Sequence, residues 1–181
     1  MTLRMLCGAV GATCIGLASP ALAIDPFFPT FGNNGIDVAH YNIDLDVDPV
    51  SGLVNGRTIL AIKAEKRLRS FSLDLHALLV SSVRINGASV PFSQADDKIT
   101  VTPNQPIDRG KSFAVTIDYA GNPDPLPDPT APGFDLFLGW FKYENSTYAL
   151  SEPIGASTFF PANDEPTDKA TYTFGITVPF G

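Results

Sequence analysis

Glu152 stands between a short apolar run, Thr147-Tyr-Ala-Leu150, and Pro153. That is a strand end, where β scaffolds place recognition groups. A carboxylate there can accept hydrogen bonds from an ammonium group. Judged alone, it also reads as an exposed loop carboxylate. Asp44, Asp46 and Asp48 recur at every second residue, so they share one face of a strand, about 7 Å apart. They are oxygen ligands of the kind calcium takes, but one row converges too few of them. A solvated face that discourages edge pairing is the reading adopted, and Asp124, Asp128 and Asp135 are read the same way. His40 and His76 are far apart, no H-E-x-x-H occurs, and Cys7 and Cys14 are the only cysteines. Zinc needs three or four N, S or O ligands in a tetrahedron, so no metal set is assembled. His40 is expected to cap a strand and His76 to end one. Gly155-Ala-Ser157 opens like a nucleophile elbow, but Phe159 occupies the place of its second glycine. No dinucleotide or P-loop glycine motif is present. Neither a catalytic nor a cofactor-binding residue is assigned.

The elements that must position these groups are strands. Tyr41-Asn-Ile-Asp-Leu-Asp-Val-Asp48 alternates with period two, the pattern of a half-buried strand. Arg57–Ala64 reads as its antiparallel partner across Pro49 and Gly52. Ser70–Leu75, Lys98–Thr102 and Ser112–Tyr119 follow in the same manner. Asn86-Gly87 is a hairpin signal between Val83-Arg-Ile and Val90-Pro-Phe92. Short strands with frequent turn signals predict an all-β fold, an antiparallel sandwich or saddle of two sheets with little helix. The prolines of residues 122–133 oppose both helix and central strand, so a stiff exposed loop is expected there. The apolar cluster Phe134–Phe141 then returns the chain to the core. Thr147–Leu150 and Thr171–Val178 are the last strands.

Residues 1–23 read as a secretory signal: Arg4, an apolar stretch from Leu6 to Leu17, and an Ala21-Leu22-Ala23 cleavage site. The stretch is too short to span a bilayer. Export to the periplasm or outside the cell is expected, with residues 24–181 as one domain. Cleavage removes both cysteines, so an apolar core must hold the domain without disulfides. Loss of Arg4 takes the net charge from −7 to −8. That opposes binding to nucleic acid or to an anionic membrane surface. No second apolar run of transmembrane length occurs. Asn145-Ser-Thr147 matches the N-glycosylation pattern, usable only in a host that modifies it.

Three segments together resemble the N-terminal β-domain of the aminopeptidase N family of zinc metallopeptidases. They are Asp37-Val-Ala-His-Tyr-Asn-Ile-Asp-Leu-Asp-Val, then Gly56-Arg-Thr-Ile-Leu-Ala-Ile-Lys-Ala with Ser72-Leu-Asp-Leu, and Ala149-Leu-Ser-Glu-Pro continuing through Phe160-Pro-Ala-Asn-Asp-Glu-Pro-Thr-Asp-Lys-Ala-Thr-Tyr. The likeness covers residues 26–181, and the third segment is its most specific part. It implies that Glu152 matches the acidic residue that reaches into the next domain and holds the substrate's free α-amine. Phe159, Phe160 and Pro161 match the segment behind that loop. Asp164, Glu165, Pro166 and Asp168 match its turn. Many members carry Arg where this chain has Ser157.

The G-x-M-E-N loop and H-E-x-x-H-x18-E motif of that family are not in this sequence. The resemblance therefore implies a scaffold for a catalytic domain that holds zinc elsewhere, with a peptide N-terminus as substrate of the full enzyme. A truncated gene or a fragment is the reading preferred, with a natural short protein as the other possibility. The alternative is a secreted β-sandwich binding or adhesion module that uses the aromatic cluster Phe137, Trp140, Phe141 and Tyr143.

Overall fold

The computed structural model describes residues 28–179; the secretory-signal reading of residues 1–23 falls outside them. Twelve strands are present among the described residues: β1 (Ile36–Val47), β2 (Val54–Ala64), β3 (Phe71–Asp74), β4 (Leu79–Ile85), β5 (Ala88–Ser89), β6 (Phe92–Ala95), β7 (Lys98–Val101), β8 (Ser112–Gly121), β9 (Leu126–Pro127), β10 (Phe137–Tyr143), β11 (Ser146–Leu150) and β12 (Thr171–Thr177). The only helical element among those residues is a 3-10 turn, η1 (Ala156–Thr158).

The alternation in β1 and β2 does what the pattern requires. Tyr41, Ile43, Leu45 and Val47 are buried while Asp44 and Asp46 face water. A register shift between Val38 and His40 is the point where the phase changes. It lets Ile36 and Val38 share the inner face with Tyr41 and Ile43, although the two pairs have opposite parity. The main sheet runs β12-β1-β2-β8-β4-β5. Against its inner face lies a sheet of order β3-β7-β6, and one apolar cluster joins Ile43, Leu60, Leu73, Ile99, Val115 and Ile117. A third sheet, β11-β10-β9, stands beside them. The all-β sandwich is thus present, with its second layer divided in two.

Four expectations are corrected. β12 lies parallel to β1, an exception in the otherwise antiparallel sandwich; residues 48–170, which separate the two strands, far exceed the crossover that parallel pairing needs. The proline-rich stretch is not wholly loop. Leu126 is buried and Pro127 pairs with Phe137 at a sheet edge, where the missing N–H faces outward. His40 sits within β1, its Nδ1 2.8 Å from Thr171 Oγ1, and so ties β1 to β12 instead of capping a strand. Asn86-Gly87 does turn a hairpin, but the return strand is β5 and Pro91 separates it from β6.

The outer face of the main sheet is held by charge. Arg57 Nε donates to Asp118 Oδ1 at 2.6 Å, while Arg84 Nη2 and Ser82 Oγ donate to Oδ2 at 2.7 Å each. Partial burial raises the Asp118 pKa, but these donors outweigh it and hold the carboxyl at about 2. A depressed carboxyl stabilises the fold above its ordinary value of 3.8 and loses that contribution as pH falls through about 2. Asp118→Asn should therefore lower stability by about 1–2 kcal/mol at pH 7. The difference should shrink towards pH 2, as measured by urea unfolding at both pH values. An equal difference at the two would show that the charge does not matter.

Candidate functional site

The chain leaves β11 at Leu150 and turns sharply through residues 151–155 into η1. Ser151, Glu152 and Pro153 are exposed, whereas Ile154 is 1% exposed. Ile154 packs with Phe28, Leu126 and Leu138, so an apolar plug follows directly after the exposed carboxylate. Gly155 has φ 114°, a conformation that favours glycine. A Cβ there would come within 2.9 Å of the Gly139 backbone nitrogen, so the loop presses directly on β10. Thr158 Oγ1 completes the joint by donating to Gly155 O at 2.8 Å and accepting from Trp140 N at 2.9 Å.

Behind the loop lies a buried carboxylate. Asp164 Oδ2 accepts from Gly155 N at 3.1 Å, Ser157 N at 3.0 Å and Ser157 Oγ at 2.8 Å. Ser157 is therefore a buried anchor of the loop. Asp164 N in turn donates to Asp74 Oδ2 at 3.0 Å. That same oxygen accepts from Gly32 N and Asn33 Nδ2, and Lys98 Nζ pairs with Asp74 Oδ1. Burial raises the Asp74 pKa, with Lys98 opposing it.

Two buried phenols fix the rest of the segment. Tyr119 Oη donates to Phe159 O at 3.1 Å, and Tyr41 Oη accepts from Asn163 N at 3.0 Å. Burial raises both phenol pKa values well above the ordinary range, so each stays neutral. Phe159 and Phe160 pack edge to face, 4.8 Å between ring centres, as the layer behind the loop.

Against this packed background Glu152 is exposed, with neither a hydrogen bond nor an ion pair to any described residue. A hollow of about 450 Å³ opens beside it, lined among others by Ser151, Pro153, Glu165, Asp168 and Tyr172. Asp168 is partly buried, which raises its pKa; Asn163 and Val38 N donate to it and oppose that.

The other sequence candidates are not brought to this place. Asp44 and Asp46 lie on the outer face of the main sheet, and Asp48 caps the β1–β2 turn by accepting from Val50 N and Ser51 Oγ. Asp128 accepts from Thr130 within its own loop, and Asp124 and Asp135 are exposed. His76 follows β3, with Nδ1 2.9 Å from Asp97 Oδ1. Among the described residues no group of three or more His, Cys, Asp or Glu could hold a metal ion, so zinc has no fit here. The aromatic cluster is divided: Trp140 is 8% exposed and packs on Phe159, while Phe137 and Tyr143 are outside. Asn145 lies at the exposed β10–β11 turn. Sequence reasoning missed the buried roles of Asp74 and Asp164. No local signal marks Asp74, which alternates with Leu73 and Leu75 just as the water-facing Asp46 does with Leu45 and Val47.

The model of the peptidase M1 N-terminal domain matches residues 38–180. The fold is similar to an M1 zinc metallopeptidase from Deinococcus radiodurans, at TM-score 0.77 and 36% identity over 84% of this chain and 34% of that one. Aminopeptidase N of Lactobacillus delbrueckii subsp. lactis is 27% identical over 86% of this chain. Leucine aminopeptidase 2 of Vanderwaltozyma polyspora is 25% identical over 88%. The chain spans 17% and 25% of the length of those two curated relatives. With the match extending from β1 to the end of β12 and through the Glu152 loop, this chain belongs to the peptidase M1 N-terminal domain family.

Proposed function

We propose that this chain is the N-terminal scaffold of an exported zinc aminopeptidase and that Glu152 binds the substrate's α-amine. One observation carries the reading: Glu152 is exposed and unpartnered among the described residues, on a loop whose following residues are buried and pinned. A carboxylate held in that way presents two acceptors to an ammonium group without first breaking contacts of its own. A mutant of the Deinococcus radiodurans metallopeptidase has been solved bound to a Tyr-Ser-Ala substrate, which supports a peptide N-terminus as the ligand class. Zinc, with its water-activating chemistry, belongs in this reading to a catalytic domain outside the chain. This chain's own contribution is to orient the amine and bury one side of the cleft. Residues 1–23, with their apolar stretch and A-x-A site, support export.

The catalytic domain has a natural seat. Tyr172, Phe174 and Ile176 project from one face of β12 and remain 50%, 49% and 58% exposed, although their β1 partners Tyr41, Ile43 and Leu45 are buried. Tyr148 and Leu150 of β11 are each 54% exposed on the other side of the loop. Apolar groups flanking a free carboxylate suit an interdomain cleft better than an open surface.

Two measurements test this. In a polypeptide joining this domain to an M1 catalytic domain, Glu152→Gln should reduce kcat/KM on free-amine substrates about ten- to hundredfold, or about 1.5–3 kcal/mol. Thermal stability should be unchanged, and unchanged efficiency would remove the amine-binding role. The chain without a catalytic domain should bind an apolar-sensing dye and self-associate in light scattering. Ile176→Lys with Val178→Lys should suppress both effects. A monomer that binds no dye would favour the stand-alone binding module.

A further inference from the structure

We propose that Asp164 is the positioning residue of the Glu152 loop, acting through Gly155 and Ser157 without touching substrate. The inference rests on the amine-binding reading of Glu152. The loop leaves a strand end, and within it only Ile154 is a sizeable apolar anchor. One plug fixes a point but leaves rotation about it. The second fixed point is polar. A single Asp164 oxygen receives two backbone amides and one hydroxyl from the two residues that flank Ala156. A carboxylate with three donors converging on it is a strong acceptor, and all the participating groups are buried.

Asp164 is itself held by its neighbours. Its amide is held by Asp74, its neighbour Asn163 by Tyr41, and Ala162 exchanges backbone hydrogen bonds with Asp74. A rigid path therefore runs from the β3–β7 sheet through Asp164 to the residues just beyond Pro153. Ser157 matters in the same device, since its Oγ makes the shortest of the three bonds. His76 N donates to Ser157 O at 2.9 Å and closes the other side.

The test begins with amide hydrogen exchange on the full chain. Asp164→Ala should speed exchange at Gly155 and Ser157 at least tenfold, with amides of β1, β2 and β8 unaffected. Asp164→Asn retains an acceptor oxygen and should restore most of the protection. Ser157→Ala, which removes only the hydroxyl, should give an intermediate change and guards against a variant that does not fold. The fused enzyme supplies the second readout. There Asp164→Ala should lower kcat/KM for free-amine substrates but add little in a Glu152→Gln background. Unaltered protection at Gly155 and Ser157 in Asp164→Ala would overturn the proposal. So would losses from the two substitutions that simply multiply. If Glu152→Gln alone is silent while exchange responds as expected, the amine-binding reading has failed and the loop anchor stands.

Discussion

The ion pair of buried Asp74 with half-buried Lys98 is the interaction on which the rest of the molecule depends. A carboxylate withdrawn from water is costly unless its acceptors are filled. Asp74 is 3% exposed. Lys98, directly opposite it in the β3–β7 pair, supplies the counter-charge, and Gly32, Asn33 and Asp164 supply further donors. Those donors come from three distant parts of the chain. The requirement to satisfy one charge thus ties the segment before β1, the second layer of the sandwich and the crossover to β12 into one unit. Removal of Lys98 would leave a buried charge without its counter-ion, the arrangement most destabilising to an interior.

From that node the order passes outward along the crossover. Asp164 holds Gly155 and Ser157, the Gly139–Gly155 approach holds the loop to β10, and Ile154 closes the apolar side. Immobilising a loop sacrifices conformational entropy, and here several buried hydrogen bonds and one apolar plug offset it. The result is an exposed carboxylate whose backbone is largely fixed before any ligand arrives. Preorganisation of that kind is what amine recognition benefits from. The apolar residues of β11 and β12 on either side of the loop fit the same proposal: exposed as they are, they suit a surface that another domain would cover.

Much of this was legible in the sequence. The alternation of β1, β2 and β8 followed from side chains pointing to opposite faces, and the Glu152-Pro153 segment was located by its place at a strand end and by family likeness. What escaped detection depends on contacts remote in sequence. Nothing local distinguishes Asp74, buried beneath the loop, from Asp46, which faces water, since both occur in alternating runs. Asp164 belongs to an acidic turn matched by likeness alone, and its buried role depends on Ser157 and Gly155 folding onto it. The parallel placement of β12 brings together the first and last strands of the described chain, a pairing that period-two patterning does not encode. Leu126 shows the same limit, since a single apolar residue among prolines gives no period to read.

The central claim is that a preset loop offers Glu152 to a peptide's α-amine. It is tested most directly by a crystal structure of this domain joined to an M1 catalytic domain, with a peptide-like inhibitor bearing a free N-terminus. A Glu152 carboxylate oxygen is expected about 2.7–3.2 Å from the inhibitor's ammonium nitrogen, with the Asp164 bonds to Gly155 and Ser157 intact. An ammonium group held by other residues, with Glu152 turned to solvent, would contradict it.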